Sequence, residues 1–520
     1  MAIFAPVSEY LVLVTLQPLD RATGLRTTVR LADRHYTTGA AETPANAEFL
    51  GLLVEARIEG NLVAPGRTRG GSVGARGSLA VADPSADVGA GRKLGPWRGY
   101  RWQYAPVTID LLAVGRPIAE AVRVFSGQLG DVTSTGAEWR MPLRDRQADW
   151  SRRKLLTARY DGFGGFGGVA ALADRYKPRG WGLARQVPAV MVDPANLWLD
   201  LHSGPIDSIV GNGYDGGAQV ITPSASNPPP SGSFYVDAAN GRVRLGVTPT
   251  FDATFDVRLD VSGGVYVATH AGILRRLAVG DGGLADPAGL VTASFAALDA
   301  ALPDEIGLWF GPDDDPDLAE VCDRIAESYD GWWILDRDGR LDIGRWTPPT
   351  ATAATAALVL DERDVVAGTL QRIATDPPPP RLTGRYRRYA IGGRDRSRLA
   401  GAVSEAAKLD LAQEWRQVTW ESTALATEYP GAEPLDVELL HDGRADAQAE
   451  IDRRGAGLVD SPWMLGLQTG MQAGALRLGQ QVWISHPDED LDAGKAFICA
   501  GWRADLLAGL VDLELWRDRD

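Results

Sequence analysis

The tract Gly162–Gly168 (GFGGFGG) is the kind of segment whose backbone N–H groups can cradle a phosphate. It lacks the preceding apolar strand, the Gly-Lys-Ser/Thr ending and a clear following helix, so it reads as a flexible or tightly turned structural loop. Asp313, Asp314, Asp315 and Asp317 could offer oxygens to Ca²⁺, yet neither twelve-residue loop spacing nor a closing glutamate accompanies them. The run reads instead as the solvated start of a helix. The five histidines, His35, His202, His270, His441 and His486, never fall in HExxH, HxH or another ligand-spaced pair, and are expected on the surface or satisfied in cores. Cys322 and Cys499 stand far apart with no CxxC or Cys/His cluster, and are expected to be buried as small apolar residues. There is no GxSxG elbow, and no carboxylate pair stands out among 68 acidic residues for glycosidase-type chemistry. The expectation is no catalytic residue, no cofactor site and no metal site: the chain does not read as an enzyme.

Aromatic and basic residues leave two binding readings. Trp97, Trp102, Trp181, Trp198, Trp309, Trp332, Trp333, Trp483, Trp502 and Trp516 could stack on sugars, but most sit inside alternating apolar runs and read as core anchors. Arg152–Lys154 and Arg385–Arg388 are compact basic clusters that read as solvated faces or inter-subunit salt-bridge partners. A formal net charge of −15 argues against a sequence-independent nucleic-acid binder, which needs clustered cations, while leaving room for a surface past which DNA slides without sticking.

The elements that would position such residues are mostly strands. Sixty Gly, 32 Pro and 16 Trp point to short strands joined by many turns, with large aromatics anchoring small cores. At 520 residues the chain should split into several domains. No apolar run reaches eighteen residues, and the first twenty residues lack the pattern of a secretory signal, so folding in the cytoplasm without a membrane span is expected.

Tyr10–Leu16 and Thr27–Leu31 read as a hairpin, followed by strands at Gly51–Ile58, Val107–Leu112, Val122–Gly127 and Glu138–Leu143. Pro65–Lys93, rich in Gly and Arg, reads as a long loop. From about Trp150 the texture becomes a small irregular β domain, with a hairpin around Asn240–Gly241. Asp315–Tyr329 has the best helical stripe, and a hairpin, Gly331–Leu335 with Arg340–Trp346, follows directly. Further helices are expected over Arg394–Gln417 and Asp442–Gly455, and Leu478–Trp516 returns to three strands.

Four blocks carry a family resemblance. They are Val122–Leu143 (VRVFSGQLGDVTSTGAEWRMPL), Lys177–Val220 with KPRGWG, VPAVMVDP, LWLDLHSGPIDSI and NGYDGGAQV in that order, Leu318–Trp346, and Leu478–Trp516. Together they resemble the baseplate hub, or tail-tip, proteins of long-tailed bacteriophages, Mu-like and related siphophages. The resemblance implies a mainly β, multidomain fold with small α+β parts. Residues 1–150 would form a first hub β-barrel domain, 151–290 an irregular β-rich domain, 291–350 a small α/β domain, and 351–520 a second hub barrel with a helical insertion near 394–417. It also implies a homotrimeric ring in the virion that adapts the tail tube to the tip. The implied partners are the distal tail protein, the tape-measure protein and tip or fibre receptor-binding proteins, with DNA passing through the lumen without specific binding. The alternative is a carbohydrate-binding or peptidoglycan-hydrolysing tail protein.

Overall fold

The computed structural model describes residues 9–62, 73–83, 95–135, 137–215, 219–250, 252–393, 404–459 and 462–518. Strands take 42% and helices 18%, which is the mainly β, multidomain architecture expected. Among the described residues the largest element is a sixteen-stranded sheet. Its main path runs Gln371–Ile373, Trp463–Gly470, Leu510–Arg517, Leu491–Asp505, Leu53–Asn61, Val73–Ala82, Glu138–Arg144, Val122–Leu129, Pro106–Ala113, Tyr10–Leu16, Val29–Ala32, Glu48–Gly51, Tyr36–Thr37.

Tyr10–Leu16 (YLVLVTL) is buried on both faces, which is why it reads as a continuous apolar run. Val12, Val14 and Leu16 enter the main core, and Leu11 and Leu13 enter a second one. Each such side chain contributes about 1.5–3 kcal/mol on burial. The strand pairs antiparallel with Val29–Ala32, as expected, and with Pro106–Ala113 on its other side.

The Pro65–Lys93 loop expectation is corrected in part. Val73–Ala82 (VGARGSLAVA) is a central strand paired with Leu53–Asn61 and Glu138–Arg144, while the stretches on either side of it lie outside the described residues. Its small residues hid it, because they are there for close approach rather than bulk. A Cβ on Gly77 would sit 2.1 Å from the Arg57 carbonyl oxygen.

The chain closes on itself in this sheet. Gly501–Asp505 pairs antiparallel with Arg57–Asn61, and the main core draws side chains from both ends, Val12 and Leu79 alongside Phe497 and Leu513. The three terminal strands are Gln481–His486, Leu491–Asp505 and Leu510–Arg517, as the sequence implies.

A second, ten-stranded sheet is built from residues between Arg179 and Phe310. The Ser233–Asp237 and Arg242–Leu245 hairpin is present, and Gly307–Phe310 joins the sheet by pairing with Arg179–Gly182. Helices α1 (His270–Gly280), α2 (Thr292–Ala301) and α3 (Leu318–Ser328) share one core beside it. The Thr269 hydroxyl accepts from Gly272 N–H at 3.0 Å and starts α1. Helix α3 begins at Leu318 rather than at Asp315, capped by Asp317 accepting from Glu320 N–H at 2.9 Å. Its stripe, Leu318, Val321, Cys322 and Ile325, packs on the hairpin Gly331–Leu335 and Leu341–Arg345.

Within residues 351–520 a separate unit sits apart from the large sheet. Arg381–Tyr386 pairs with Arg416–Glu421 and Leu435–Glu438, next to helices α4 (Glu405–Leu411) and α5 (Arg444–Val459). Leu382, Val418, Leu439 and Ile451 form its core. The helix expected over Arg394–Gln417 is confined, among the described residues, to α4, because Arg416 already belongs to a strand.

Candidate functional site

The glycine tract spends its amides on itself. Gly162 N–H donates to Gly167 carbonyl at 3.0 Å and Gly164 N–H to Gly168 carbonyl at 2.8 Å, so it forms a turn and no phosphate cradle. Phe166 packs edge-on against Trp198 at 5.6 Å and under the Arg242 guanidinium at 4.1 Å, whereas Phe163 is 93% exposed. The acidic run is dispersed over four separate duties: Asp313 pairs with Arg175, Asp314 accepts from Gly311 N–H at 2.6 Å, Asp315 pairs with Lys154 at 2.9 Å, and Asp317 caps α3. Both cysteines are buried and free. Among the described residues no three His, Cys, Asp or Glu side chains converge as metal ligands, and no helix is long and apolar enough to cross a membrane.

Trp97, Trp102, Trp181, Trp332, Trp333, Trp502 and Trp516 are buried anchors, while Trp198, Trp309 and Trp483 are half-buried. Trp150 stacks on Trp333 at 5.2 Å, and Trp333 Nε1 donates to Asp323 at 2.7 Å. Trp346 meets Trp516 at 5.0 Å, which ties the hairpin unit to the last strand of the large sheet. Arg337, in the hairpin turn, adds a second tie by donating to the Gly474 carbonyl at 2.7 Å with its guanidinium 4.8 Å over Trp502. Arg152, Arg153 and Lys154 are spent on the Tyr104 hydroxyl, the Asp281 carbonyl and Asp315.

A third joint fastens α5 to the hairpin. Glu450 accepts from Arg454 at 2.7 Å, from Arg453 at 2.8 Å and from Arg345. Burial opposes its charge, yet the guanidiniums of Arg454, Arg453 and Arg345 hold the carboxyl well below the usual carboxylate range. A cavity of about 70 Å³ lies where Ile58, Phe125 and Asp145 meet Arg337 and Trp502. Burial there pushes the Asp145 carboxyl up to about 7 and the Arg337 guanidinium down to about 10.

The histidines divide. His35 is exposed and His202 is buried with both nitrogens used, Nε2 on the Gly180 carbonyl at 3.1 Å and Nδ1 accepting from Gly204 N–H at 3.0 Å. The other two buried rings are paired less fully among the described residues. His270 reaches Ser328 Oγ at 2.9 Å through Nε2 and, among the described residues, has no partner at Nδ1, while His441 has none at either nitrogen. The two rings lie 5.0 Å apart, and burial holds both below the ordinary histidine range.

His441 borders a cleft of about 40 Å³ between the second sheet and the Arg381–Tyr386 unit. Two backbone irregularities aim side chains into it. A bulge between Ala184 and Val187, with Gln186 at φ +50°, presents Arg185, and Arg387 itself sits at φ +45°. Arg185 forms a bidentate pair with Asp442 at 2.8 and 2.7 Å and reaches Asp256 at 2.8 Å. Arg387 Nε contacts Asp442 at 3.2 Å, Arg388 Nε donates to Glu414 at 2.9 Å, and Arg385 and Arg388 lie 5.8 and 5.6 Å from the Trp415 ring. Arg388 remains exposed and Arg387 partly so, so the Arg385–Arg388 cluster keeps a solvated face while its ion pairs lie within the chain. Of the cleft lining the sequence displayed Arg387 and Arg388, while the remaining residues come from positions as distant as 185, 309 and 441.

The molecule is thus a mainly β body with ionic and aromatic joints. No family model matches the chain, and no curated protein does. Among solved structures it is similar to the tail protein from Neisseria meningitidis MC58, with 98% of this chain and 97% of that one covered, 10% identity and a TM-score of 0.41. It is likewise similar to the prophage MuSo2 43 kDa tail protein from Shewanella oneidensis, with 98% of both covered, 12% identity and a TM-score of 0.40. A chain of the native gene transfer agent virion is similar over 66% of this chain and 84% of that one, at 15% identity and a TM-score of 0.43.

Proposed function

We propose that the chain is a structural baseplate hub subunit of a phage tail tip. In this reading it forms a trimeric ring that adapts the tail tube to the tip, holds the tape-measure end and lines the channel for DNA ejection. Residues 1–150 and 351–520 supply the two ring-forming regions, and the distal tail protein and tip or fibre proteins dock on the outer faces. The observation that carries the reading is the closure of the chain on itself: both ends share one sheet and one core, and the middle is tied to it by Trp346, Trp516 and Arg337. A body built this way resists separation of its parts under load, as a tail-tip ring requires. The balance of −15 supports a lumen past which DNA moves without sticking.

Mass photometry of the purified protein tests the assembly. The expected mass is three times the 55.7 kDa of one chain, and averaged electron micrographs of particles down the tail axis should show threefold symmetry. A persistent monomer that is also missing from virions by mass spectrometry overturns the reading. Clearing of host peptidoglycan in a zymogram would replace it with the hydrolase alternative.

A further inference from the structure

Where the last strands of the large sheet meet Leu53–Asn61, Leu513 and Leu515 enter the main core, so Asp512 and Glu514 face away from it. The outward side chains form two rows across the strands. One row runs through the paired positions Gln468, Asp512, Arg503 and Glu59 and satisfies itself: Gln468 donates to Asp512 at 2.9 Å and Arg503 to Glu59 at 3.0 Å. The next row is Gln371, Gly466, Glu514, Gly501 and Asn61. Glu514 stands there between two glycines with an amide at either end, and it makes no hydrogen bond or ion pair among the described residues. The missing side chains leave a groove of about 310 Å³ along this row.

The groove offers acceptors and a surplus of negative charge. A Cβ on Gly501 would stand 2.6 Å from Asn61 Oδ1 and 3.0 Å from Glu514 Oε2, so the two oxygens converge on one point above the glycine backbone. Two guanidiniums, Arg76 and Arg503, face three carboxylates, Glu59, Asp512 and Glu514, and both are committed to Glu59. Burial, reinforced by Glu59 and Asp512, pushes the Glu514 carboxyl above its ordinary 4.5 against the pull of Arg503. A cationic donor relieves that cost, and a phosphate backbone is repelled. At roughly 10–15 Å³ per water-sized centre, the groove takes about 20–30 non-hydrogen atoms, more than one side chain. Trp502 borders it but is only 5% exposed, so no aromatic face is presented for stacking a sugar.

We propose that this groove docks an extended segment of a partner polypeptide that places an arginine over Gly501, its guanidinium shared between the Glu514 carboxylate and Asn61 Oδ1. A planar fork of N–H donors matches two converging oxygens better than the point charge of an ammonium does. The groove lies within one chain, so the site stands whether or not the chain forms a tail-tip ring.

Isothermal titration of the full chain near pH 7 tests this with acetyl-Val-Arg-Val-amide, its Val-Glu-Val counterpart and maltotriose as probes. Saturable binding of the arginine peptide alone is expected. Glu514→Gln should weaken it about tenfold at an unchanged melting temperature. Asp207→Asn, which removes an exposed carboxylate from the second sheet, should leave it unaltered. Asn61→Asp should tighten it, a gain that misfolding cannot imitate. Absence of saturation by the arginine peptide overturns the proposal, as does equal binding of the glutamate peptide. Equal weakening by Glu514→Gln and Asp207→Asn would reduce the effect to the general pull of the net charge and overturn it too. Tighter binding of maltotriose would make the groove a carbohydrate site instead.

Discussion

Replacing Glu450 with Gln removes one negative charge from a point where three guanidiniums converge, while keeping the shape of the side chain. Glu450 is 2% exposed, and breaking a buried ion pair from one side costs about 3–5 kcal/mol because the partner is left uncompensated. The neighbours decide where in that range the loss falls. Arg453 keeps Asp330 at 3.0 Å and the Trp346 carbonyl at 2.8 Å, Arg345 keeps the Tyr329 carbonyl at 3.3 Å, and Arg454 keeps the Glu327 carbonyl at 2.8 Å. The low end applies, about 3 kcal/mol. In a chain of several units the clean readout is local, so amide hydrogen exchange in α5 should quicken by roughly 100- to 200-fold. An increase below about tenfold would show that solvent already screens the cluster, and the reasoning fails. The pH dependence supplies a second check. The folded carboxyl titrates below its ordinary 4.5, so its contribution is complete above that value and is lost as pH falls through it toward the folded value. Protection of α5 in the wild type should fall below about pH 4.5, and the Glu450→Gln protein should not show that fall.

Three further outcomes follow from the same kind of reasoning. The Asp145 carboxyl holds its proton in the folded state up to about 7 but releases it near 3.8 when unfolded, so stability declines as pH rises across that window. Wild-type melting temperature should therefore drop more steeply from about pH 5 to 8 than that of Asp145→Asn, and parallel profiles would refute the assignment. Gly77→Ala places a methyl against the Arg57 carbonyl oxygen and should cost about 1–3 kcal/mol in urea titration, where an unchanged midpoint would mean the two strands can part freely. Phe163→Ser, at a 93% exposed tip, should move stability by no more than about 0.5 kcal/mol by the same titration, and a larger loss would show the tip to be packed.

What the sequence displayed depended on how locally each feature is encoded. The α3 stripe and the Asn240–Gly241 turn are determined by residues within one turn of one another, and both were legible, whereas the exact start of α3 at the Asp317 cap was not. Helix α1 was equally legible in principle, with Ile273, Leu274, Leu277 and Ala278 on one face behind the Thr269 cap, but the glycine-rich surroundings disguised it. Val73–Ala82 was hidden because its residues are small for a long-range reason, the approach of the Arg57 backbone. The cleft was almost wholly illegible. Arg185 reaches it through a bulge, Arg387 through a left-handed backbone, and Asp442 from a third segment, so no spacing rule unites them.

The pairing that closes the chain raises a problem that its own side chains answer. Leu53–Asn61 is synthesised hundreds of residues before Gly501–Asp505, so one edge of the N-terminal sheet waits unpaired, and such edges invite association with other chains. The waiting edge carries Arg57 and Glu59, charges that discourage apolar strands from adding there. When the true partner arrives, the same charges select its register: Arg57 meets Asp505 at 3.1 Å and Glu59 meets Arg503 at 3.0 Å. A slip by two residues keeps the buried faces aligned and is therefore the error that hydrophobicity cannot reject. In one direction it sets Glu59 against Asp505, in the other Arg57 against Arg503, and like charges directly opposite one another destabilise the pair. Charge thus does here what apolar alternation cannot, and the guard of the open edge becomes the key of the closed one.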